Sequence, residues 1–180
     1  SLSRFSFRGR GFVSTVLLLL GVFPTILLVA PIYGVLAIFN LTDSLLGLGL
    51  VHGALAAPFC AWYLRSFFDA VPEALEEAAW IDGSGRIRTM LTIVFPIART
   101  GILSVTMYAF ITSWGEYIFA SVLLTGSSTV PISLTSFMAG TDVKWSLLLA
   151  GVVLNLVPLL VLFLPVMKTF VHGFIGGALK

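Results

Sequence analysis

Four long apolar stretches constrain this chain more than any other feature of its sequence. They run approximately from Gly11 to Phe39, Leu45 to Leu64, Gly101 to Leu124 and Ser146 to Val166. A helix that crosses the hydrocarbon core of a bilayer needs about 20 largely apolar residues, so each stretch is long enough to be a span. With 58% hydrophobic and 10% charged residues, a chain of 180 residues cannot bury so much apolar surface in a water-soluble domain. The sequence therefore predicts a protein whose solvent is the membrane.

The apolar stretches are continuous, which distinguishes helices from barrel strands. A barrel strand alternates apolar and polar residues over about ten positions, and these segments do not. Within hydrocarbon each backbone polar group must find its partner inside the protein, and a helix provides that partner in every segment. We expect an all-α fold, a polytopic transmembrane helix bundle that forms a single domain over residues 1–180.

The cations are distributed asymmetrically along the chain. Nine of the ten Lys and Arg residues would lie on one side of the membrane, and only Lys144 would lie on the other. The nine are Arg4, Arg8, Arg10, Arg65, Arg86, Arg88, Arg99, Lys168 and Lys180. The side rich in Lys and Arg is normally cytoplasmic. We therefore expect both ends and the loop 65–99 in the cytoplasm, and the loops 40–44 and 125–145 outside. The second outer loop is rich in Ser, Thr and Gly, which favours a flexible segment.

The cytoplasmic loop 65–99 has the pattern of a helix, a glycine hinge and a second helix. Pro72 suits the first helical position, and Gly83 supplies a left-handed stop, which gives a first helix of about 11 residues. Ser84 is the expected cap of a second helix, whose run Pro96 limits.

The first loop helix combines a narrow face of mostly small residues with an acidic ridge. The face comprises Leu75, Ala78, Ala79 and Asp82, and Glu73 and Glu77 lie beside it. Such a face favours insertion into the cleft of a partner, whereas a solvated amphipathic loop helix is the simpler alternative.

A polar stripe is predicted along the third apolar stretch. Ser104, Tyr108, Thr112 and Glu116 follow one another at steps of four, which on a helix places them within an arc of roughly 120°. An ionisable group at the centre of a bilayer costs about 2.5 to 3.5 kcal/mol and normally faces a cavity or a partner. Glu116 therefore either lines a path or holds the bundle together, and the sequence does not decide between these roles. Trp114 and Asn155 are further candidates for lining that path.

No catalytic or metal-binding pattern accompanies these features. The sequence has no nucleophile with a plausible base and no glycine-rich loop with a lysine, and Cys60 is its single cysteine. We expect a non-catalytic chain without a metal site, without a bound cofactor and without a nucleic-acid partner.

One segment resembles a known family. Glu77-Ala78-Ala79, followed by Gly83, Ile93 and Pro96, resembles the cytoplasmic EAA motif of permease subunits in ABC importers. The segments 4–10, 113–117 and 171–180 are similar to the maltose-type carbohydrate-uptake branch, and specifically to its second permease subunit. Members of this branch usually have six spans and the similarity begins after the second, so the first two spans are expected to be absent here.

The resemblance implies a set of partners and roles. A second permease subunit would complete the path, two copies of a cytosolic ATPase subunit would hold ATP and Mg, and an external solute-binding protein would deliver a carbohydrate. The location would be the plasma (inner) membrane of a bacterium or archaeon. The implied contacts with the ATPase involve the coupling helix and its hinge, namely Glu76, Glu77, Ala78, Ala79, Asp82 and Gly83. In such permeases the C-terminal tail also reaches toward the ATPase pair.

Three other functions are compatible with parts of the sequence. An ion-coupled secondary carrier would use Glu116 as its ionisable site, but would leave the acidic loop helix unexplained. An ABC permease for a solute other than a sugar would have the same cytoplasmic loop and different residues along the translocation path. A membrane scaffold without transport would not need the polar stripe.

Overall fold

The computed structural model describes residues 2–138 and 143–178, and side chains as far as Met167 apart from Pro165. Within these residues the regular structure is entirely helical, which confirms the all-α prediction. The α-helices are α1 (Arg10–Val22), α2 (Val29–Ile38), α3 (Leu45–Asp69), α4 (Glu73–Ile81), α5 (Arg86–Thr89), α6 (Phe95–Ile97), α7 (Arg99–Trp114), α8 (Ile118–Leu123), α9 (Val130–Thr135) and α10 (Trp145–Ala178). Short 3-10 helices cover Thr25–Leu28 and Ser136–Met138, and Met90–Val94 forms a π-helical turn.

Two helices of the described chain are long and apolar enough to cross a membrane without interruption. They are Leu45–Asp69 and the part of α10 that spans Trp145–Leu164. The number rises to four if two pairs of helices, each bent at a short break, are counted as one span per pair. One pair is α1 with Thr25–Ile38, and the other is Arg86–Ile97 with α7. By length and composition, the four predicted spans therefore remain possible, and their boundaries remain predictions.

The first and third predicted spans are each interrupted between two helices. The first is broken at Phe23 and Pro24, where Pro24 adopts an extended conformation with ψ 101°. Proline has no N–H to donate to the preceding turn, which accounts for a break at this position. In the third, α7 ends at Trp114 and α8 begins at Ile118, so residues 115–117 separate two helices.

The described residues form two compact units, and the single domain over residues 1–180 stays a prediction. The first unit contains the chain up to Val22, the segment Ala57–Tyr108 and the residues from Val166 onward. The second unit contains Phe23–Ala56 and Ala109–Pro165.

The core of the second unit forms where α2, the start of α3 and α8 meet. Its buried side chains are Leu36, Leu48, Val51, Phe119, Ala120, Leu123 and Leu124. By contrast, the apolar window of α10 within Trp145–Leu164 contains no buried residue. An apolar helix without a buried face is stable in lipid or against another subunit, and not in water.

Polar side chains and close helix packing hold the first unit together. The Arg65 guanidinium donates to the Ser14 hydroxyl at 2.7 Å and lies 3.3 Å from the Asp69 carboxylate. Gly101 is buried directly against the Phe67 ring, where a Cβ would overlap the ring carbons. Glycine therefore allows α7 to approach α3 more closely than any other residue would.

The cytoplasmic loop contains the predicted helix, hinge and helix, with differences at the ends. Pro72 is the N-cap and not the first helical residue, so α4 has 9 residues instead of about 11. Gly83 has φ +83°, which confirms the left-handed stop. Its N–H donates to the Trp80 carbonyl, and that of Ser84 donates to the Ala79 carbonyl. These two bonds form the Schellman motif that ends many helices.

The second loop helix differs from the prediction at both of its ends. Gly85, and not Ser84, is the N-cap of α5, and the Ser84 hydroxyl accepts from the Thr89 hydroxyl at 3.2 Å. The helical path then continues through Pro96 to Ile97, past the expected limit. The π turn precedes this proline, and the Phe95 N–H donates to the Met90 carbonyl five residues back. The wider turn thus lets the helical path include a residue that has no N–H.

Candidate functional site

The predicted small face of α4 is divided by the fold. Ala79 is buried in the first unit, whereas Leu75, Ala78 and Asp82 are exposed. One side of this face therefore fixes α4 to its own chain, and the other side is available to a second protein.

Two adjacent glutamates on α4 have different surroundings. The Glu76 side chain is 12% exposed and accepts from Nε of Arg4 at 2.6 Å. Glu77 is exposed, and among the described residues no hydrogen bond or ion pair involves its carboxylate. Consecutive residues on a helix point about 100° apart, so one inward and one outward carboxylate is the expected geometry. Glu77 is thus a carboxylate of α4, without a partner among the described residues, that can meet a cation on another protein.

Apolar residues surround the end of α4 and the hinge. Ile81 is 86% exposed and Ile87 is 73% exposed. The Arg86 guanidinium lies 5.6 Å from the centre of the half-exposed Trp80 ring, within the range of a cation–π contact. Together with Ala78 and Glu77, these side chains form a surface on the loop that we call the coupling surface. Its composition, apolar side chains beside one carboxylate and one guanidinium, suits a protein partner.

Three residues of the predicted polar stripe lie on α7. The Ser104 hydroxyl donates to the Thr100 carbonyl at 2.8 Å, and the Thr112 hydroxyl donates to the Ala109 carbonyl at 3.1 Å. The Tyr108 ring packs against the Phe59 ring with centroids 4.3 Å apart. Their predicted role in lining a path stays a prediction.

Glu116 does not continue the stripe as a helical residue, because α7 ends two residues before it. Its Oε1 accepts the Phe119 N–H at 2.8 Å and its Oε2 accepts the Ala120 N–H at 3.0 Å. His52 Nε2 lies 3.4 Å from the same Oε2. The carboxylate therefore caps α8 and connects it to α3 within the second unit. These contacts favour the second of the two roles that the sequence left open, which is to hold the bundle.

The fold brings together two of the other candidate residues. The Trp114 indole N–H donates to the backbone carbonyl of Asn155 at 3.2 Å, and its ring stacks on Phe110. The side-chain oxygen Oδ1 of Asn155 is buried, and no donor among the described residues reaches it. Asn155 therefore has a buried side-chain acceptor that no donor of the described chain satisfies.

Glu116→Ala is expected to destabilise the second unit, because it removes the acceptor for two N–H groups of α8. Loss of a side-chain cap costs about 0.5 to 2 kcal/mol. Glu116→Gln keeps one acceptor oxygen and should have a smaller effect. Thermal unfolding of the detergent-purified assembly would measure the stability of both variants. The control is Glu77→Gln, which makes the same substitution at an exposed site. Unchanged unfolding together with lost uptake would instead assign Glu116 to the path.

Asp43 anchors the start of the outer loop 125–145, which sequence reasoning missed. Its Oδ1 accepts the N–H groups of Thr125 and Gly126, each at 2.8 Å, and of Ser127 at 3.4 Å. The hydrogen bonds from these N–H groups stabilise the charged carboxylate and hold the pKa of Asp43 below its ordinary value of 3.8. The bonds from Gly126 and Thr125 contribute most. The sequence contained one signal for this anchor, an aspartate in the short loop 40–44. Aspartate tolerates the left-handed backbone conformation, and Asp43 adopts it with φ 54°. The described part of the outer loop also contains α9, so it is more ordered than predicted.

The anchor at Asp43 is expected to weaken in acid. Because the folded pKa is lowered, its stabilisation is fully present above about pH 4 and is lost as the pH falls through the folded value. Asp43→Asn keeps an acceptor oxygen but removes the charge, so it should weaken the anchor at neutral pH while still tolerating the positive φ. Hydrogen exchange of the amides 125–127, corrected for the intrinsic pH dependence, would show this, and Ser127→Ala should exchange like the unaltered protein. Equal protection in Asp43→Asn would contradict the role of the charge.

The fold defines a class of protein: an all-helical subunit with apolar helices long enough to cross a membrane. More specifically, the chain belongs to the family of binding-protein-dependent transport system inner membrane components, whose sequence pattern matches residues 2–177. Membership confirms the prediction of an ABC importer permease. It also identifies the chain as a transport subunit and not as an enzyme.

Individual relatives agree with this assignment. The trehalose/maltose transport system permease protein of Thermococcus litoralis is 31% identical over 100% of this chain and 66% of its own length. The diacetylchitobiose uptake system permease protein of Streptomyces coelicolor is 32% identical over the same shares. The chain thus spans about two thirds of the length of these curated relatives.

A solved structure shows the same fold. It is a bacterial ABC transporter involved in the import of the acidic polysaccharide alginate, with a TM-score of 0.71 and 20% identity. The match covers 94% of this chain and 64% of that chain. It confirms the predicted permease fold for the described helices.

Proposed function

We propose that the chain is a permease subunit of an ATP-driven importer, that it forms half of the translocation path for a carbohydrate, and that it is driven through the coupling surface. The observation that carries the mechanism is the exposed, unpaired Glu77 beside the paired Glu76. The carbohydrate cargo is supported by two relatives that match the whole chain and are named for trehalose/maltose and for diacetylchitobiose.

The proposed assembly contains a second permease subunit, two copies of a cytosolic ATPase subunit and an external solute-binding protein. ATP and Mg bind to the ATPase subunits. One ATPase receives α4 of this chain, with Glu77 facing a cation, Ala78 in close contact and Gly83 as the turn, and the other ATPase receives the loop helix of the second permease subunit. Within this chain, α4 contacts α5 and the π turn, which leads through α6 to α7. Displacement of α4 when the ATPases close is thereby passed to a helix of the path.

The proposed orientation places the loop 65–99 and the C-terminus in the cytoplasm. The distribution of Lys and Arg supports it, since nine of ten lie on that side. The family is one of inner membrane components, in agreement with the plasma membrane of a bacterium or archaeon. The side chains of Lys168 and His172, and the residue Lys180, lie outside the described part of the structure, and so do the contacts predicted for the tail.

The path is proposed to include Ser104, Tyr108, Thr112, Trp114 and Asn155. The side-chain oxygen of Asn155 is a buried acceptor without a donor among the described residues, so a movement of α10 that exposes it would let it bind a solute. A sugar hydroxyl is a donor that matches this acceptor. Glu116 contributes to the shape of the path by holding α8 more than by direct contact.

Uptake into proteoliposomes tests the proposed function. The complete assembly, reconstituted with binding protein and supplied with a panel of sugars and non-sugar solutes, should accumulate a sugar only when ATP is hydrolysed. The control is an ATPase subunit that binds ATP and does not hydrolyse it. Accumulation driven by an ion gradient alone would favour the secondary carrier, and ATP-driven uptake of a non-sugar alone would correct the cargo.

A further inference from the structure

Arg4 forms a three-way contact with the start of the coupling helix. Its Nε donates to Oε1 of Glu76 at 2.6 Å, and its Nη2 donates to the Val71 carbonyl at 2.7 Å. The third atom, Nη1, lies 3.8 Å from the Glu73 carboxylate. We call this set of contacts the Arg4 bridge. It joins residues about seventy positions apart in the sequence, all within the first unit.

The surroundings of the Arg4 bridge make it stronger than a typical surface ion pair. The side chains of Arg4 and Glu76 are 19% and 12% exposed. Val71, whose carbonyl accepts from Arg4, is buried. Charge-assisted hydrogen bonds in a partly desolvated site are stronger and more directional than exposed pairs. An arginine can satisfy several acceptors at once because its donors lie in a fixed plane, and a lysine cannot reproduce this arrangement.

The Arg4 bridge also connects α4 to α1. Arg10 is the first residue of α1, and its Nη2 donates to the Ser3 carbonyl at 3.4 Å. The Val13 N–H of α1 donates to the Gly9 carbonyl at 2.9 Å. The segment 2–9 is therefore tied to α1 at one end and to the coupling helix through Arg4.

We propose that Arg4 is a positioning residue for energy coupling: it holds Glu76 inward so that Glu77 faces the ATPase, and it makes α4, the segment 2–9 and α1 move together. The proposal rests on the proposed function and deepens it. Force applied at Glu77 then has two routes into the permease. One leads through α5 and the π turn to α7, and the other leads through Arg4 to α1.

A residue that only stabilised the fold would change the yield of the assembly and leave the energy coupling unaffected. The test is therefore the number of solute molecules imported per ATP hydrolysed in proteoliposomes of the complete assembly. Arg4→Gln and Arg4→Glu are each expected to lower this ratio roughly fivefold or more, the usual range for a lost coupling between sites. The control is Arg8→Gln, which removes a neighbouring exposed arginine and should keep the ratio of the unaltered protein.

Charge exchange separates a specific pair from a general effect of charge. Glu76→Arg should impair coupling in the same way as Arg4→Glu, and the double variant should recover part of the lost ratio, because it restores the pair between positions 4 and 76 but not the bond to the Val71 carbonyl. Unchanged ratios in the single variants, or no recovery in the double variant, would overturn the proposal. If the unaltered assembly shows no ATP-driven uptake, the proposed function fails instead.

A distance measurement tests the Arg4 bridge without relying on transport. Spin labels at Ser6→Cys and Ala74→Cys, in a chain carrying Cys60→Ser, report on the segment and on α4, and both sites are exposed. The label distance should be the same with and without nucleotide in the complete assembly, and should broaden or change when Arg4→Gln is added. A distance that changes with nucleotide in the presence of Arg4, or that Arg4→Gln leaves unaffected, would overturn the proposal.

Discussion

Glu77→Lys is expected to prevent stable association with the ATPase and to abolish uptake, while membrane insertion remains normal. The structure leaves the Glu77 carboxylate exposed on α4, and its proposed partner is a cation. The substitution replaces an attraction with a repulsion between like charges. Disrupting a buried charge pair at an interface costs about 2 to 5 kcal/mol, so affinity should fall by roughly thirtyfold or more. Co-purification of the ATPase with the tagged permease, and uptake by the same preparation, would measure the loss.

Two variants separate this effect from a general change of charge on the loop. Glu77→Gln removes the charge without reversing it and should have an intermediate effect. Ala70→Lys adds a cation just before α4, at an exposed site outside the coupling surface, and should co-purify normally. Normal ATPase recovery and normal uptake with Glu77→Lys would exclude this helix as the coupling contact.

Gly101→Ala should destabilise the first unit, even though alanine is ordinarily the better helix former. A Cβ at this position overlaps the Phe67 ring, so the ring or the backbone of α7 must shift. Overpacking of this kind costs about 1 to 3 kcal/mol. At Gly53, where a Cβ meets no described atom within 4 Å, the same substitution should be neutral or should stabilise α3 by about 0.5 to 1 kcal/mol.

The opposite signs at Gly101 and Gly53 make this prediction specific. Thermal unfolding of the purified assembly would rank the two variants against the unaltered protein. Phe67→Leu combined with Gly101→Ala should recover part of the loss, because the smaller side chain makes room for the new methyl group. Equal stability of the two alanine variants would show that α7 does not depend on close approach to Phe67.

Local patterns allowed much of the fold to be predicted from the sequence. The hydropathy of the four stretches indicated helices, and Gly83 was predicted as the left-handed end of α4 and has φ +83°. The acidic first turn was also predictable, because Glu73 and Glu76 complement the positive end of the helix. These features depend on neighbouring residues, which a single sequence displays directly.

The position of Glu116 and the missed contacts depend on residues distant in the sequence. Steps of four placed Glu116 on a helix face, but its carboxylate is used to cap α8 and to meet His52, 64 positions earlier. Arg4 and Asp43 find their partners 72 and 82 positions away. Spacing within a segment contains no information on which distant segment will lie beside it. The packing of the helices therefore decides these roles.

The two ends of α4 are fixed independently, at the first turn by Arg4 and at the last by the hydrogen bonds at Gly83 and Ser84. The chain between Val71 and Gly83 consequently has a defined length as well as a defined composition. One inserted residue would rotate the following part of the helix by about 100° and turn the outward carboxylate away from its partner. Engineering of this loop should thus accept exchanges of side chains at exposed positions more readily than any change in its number of residues.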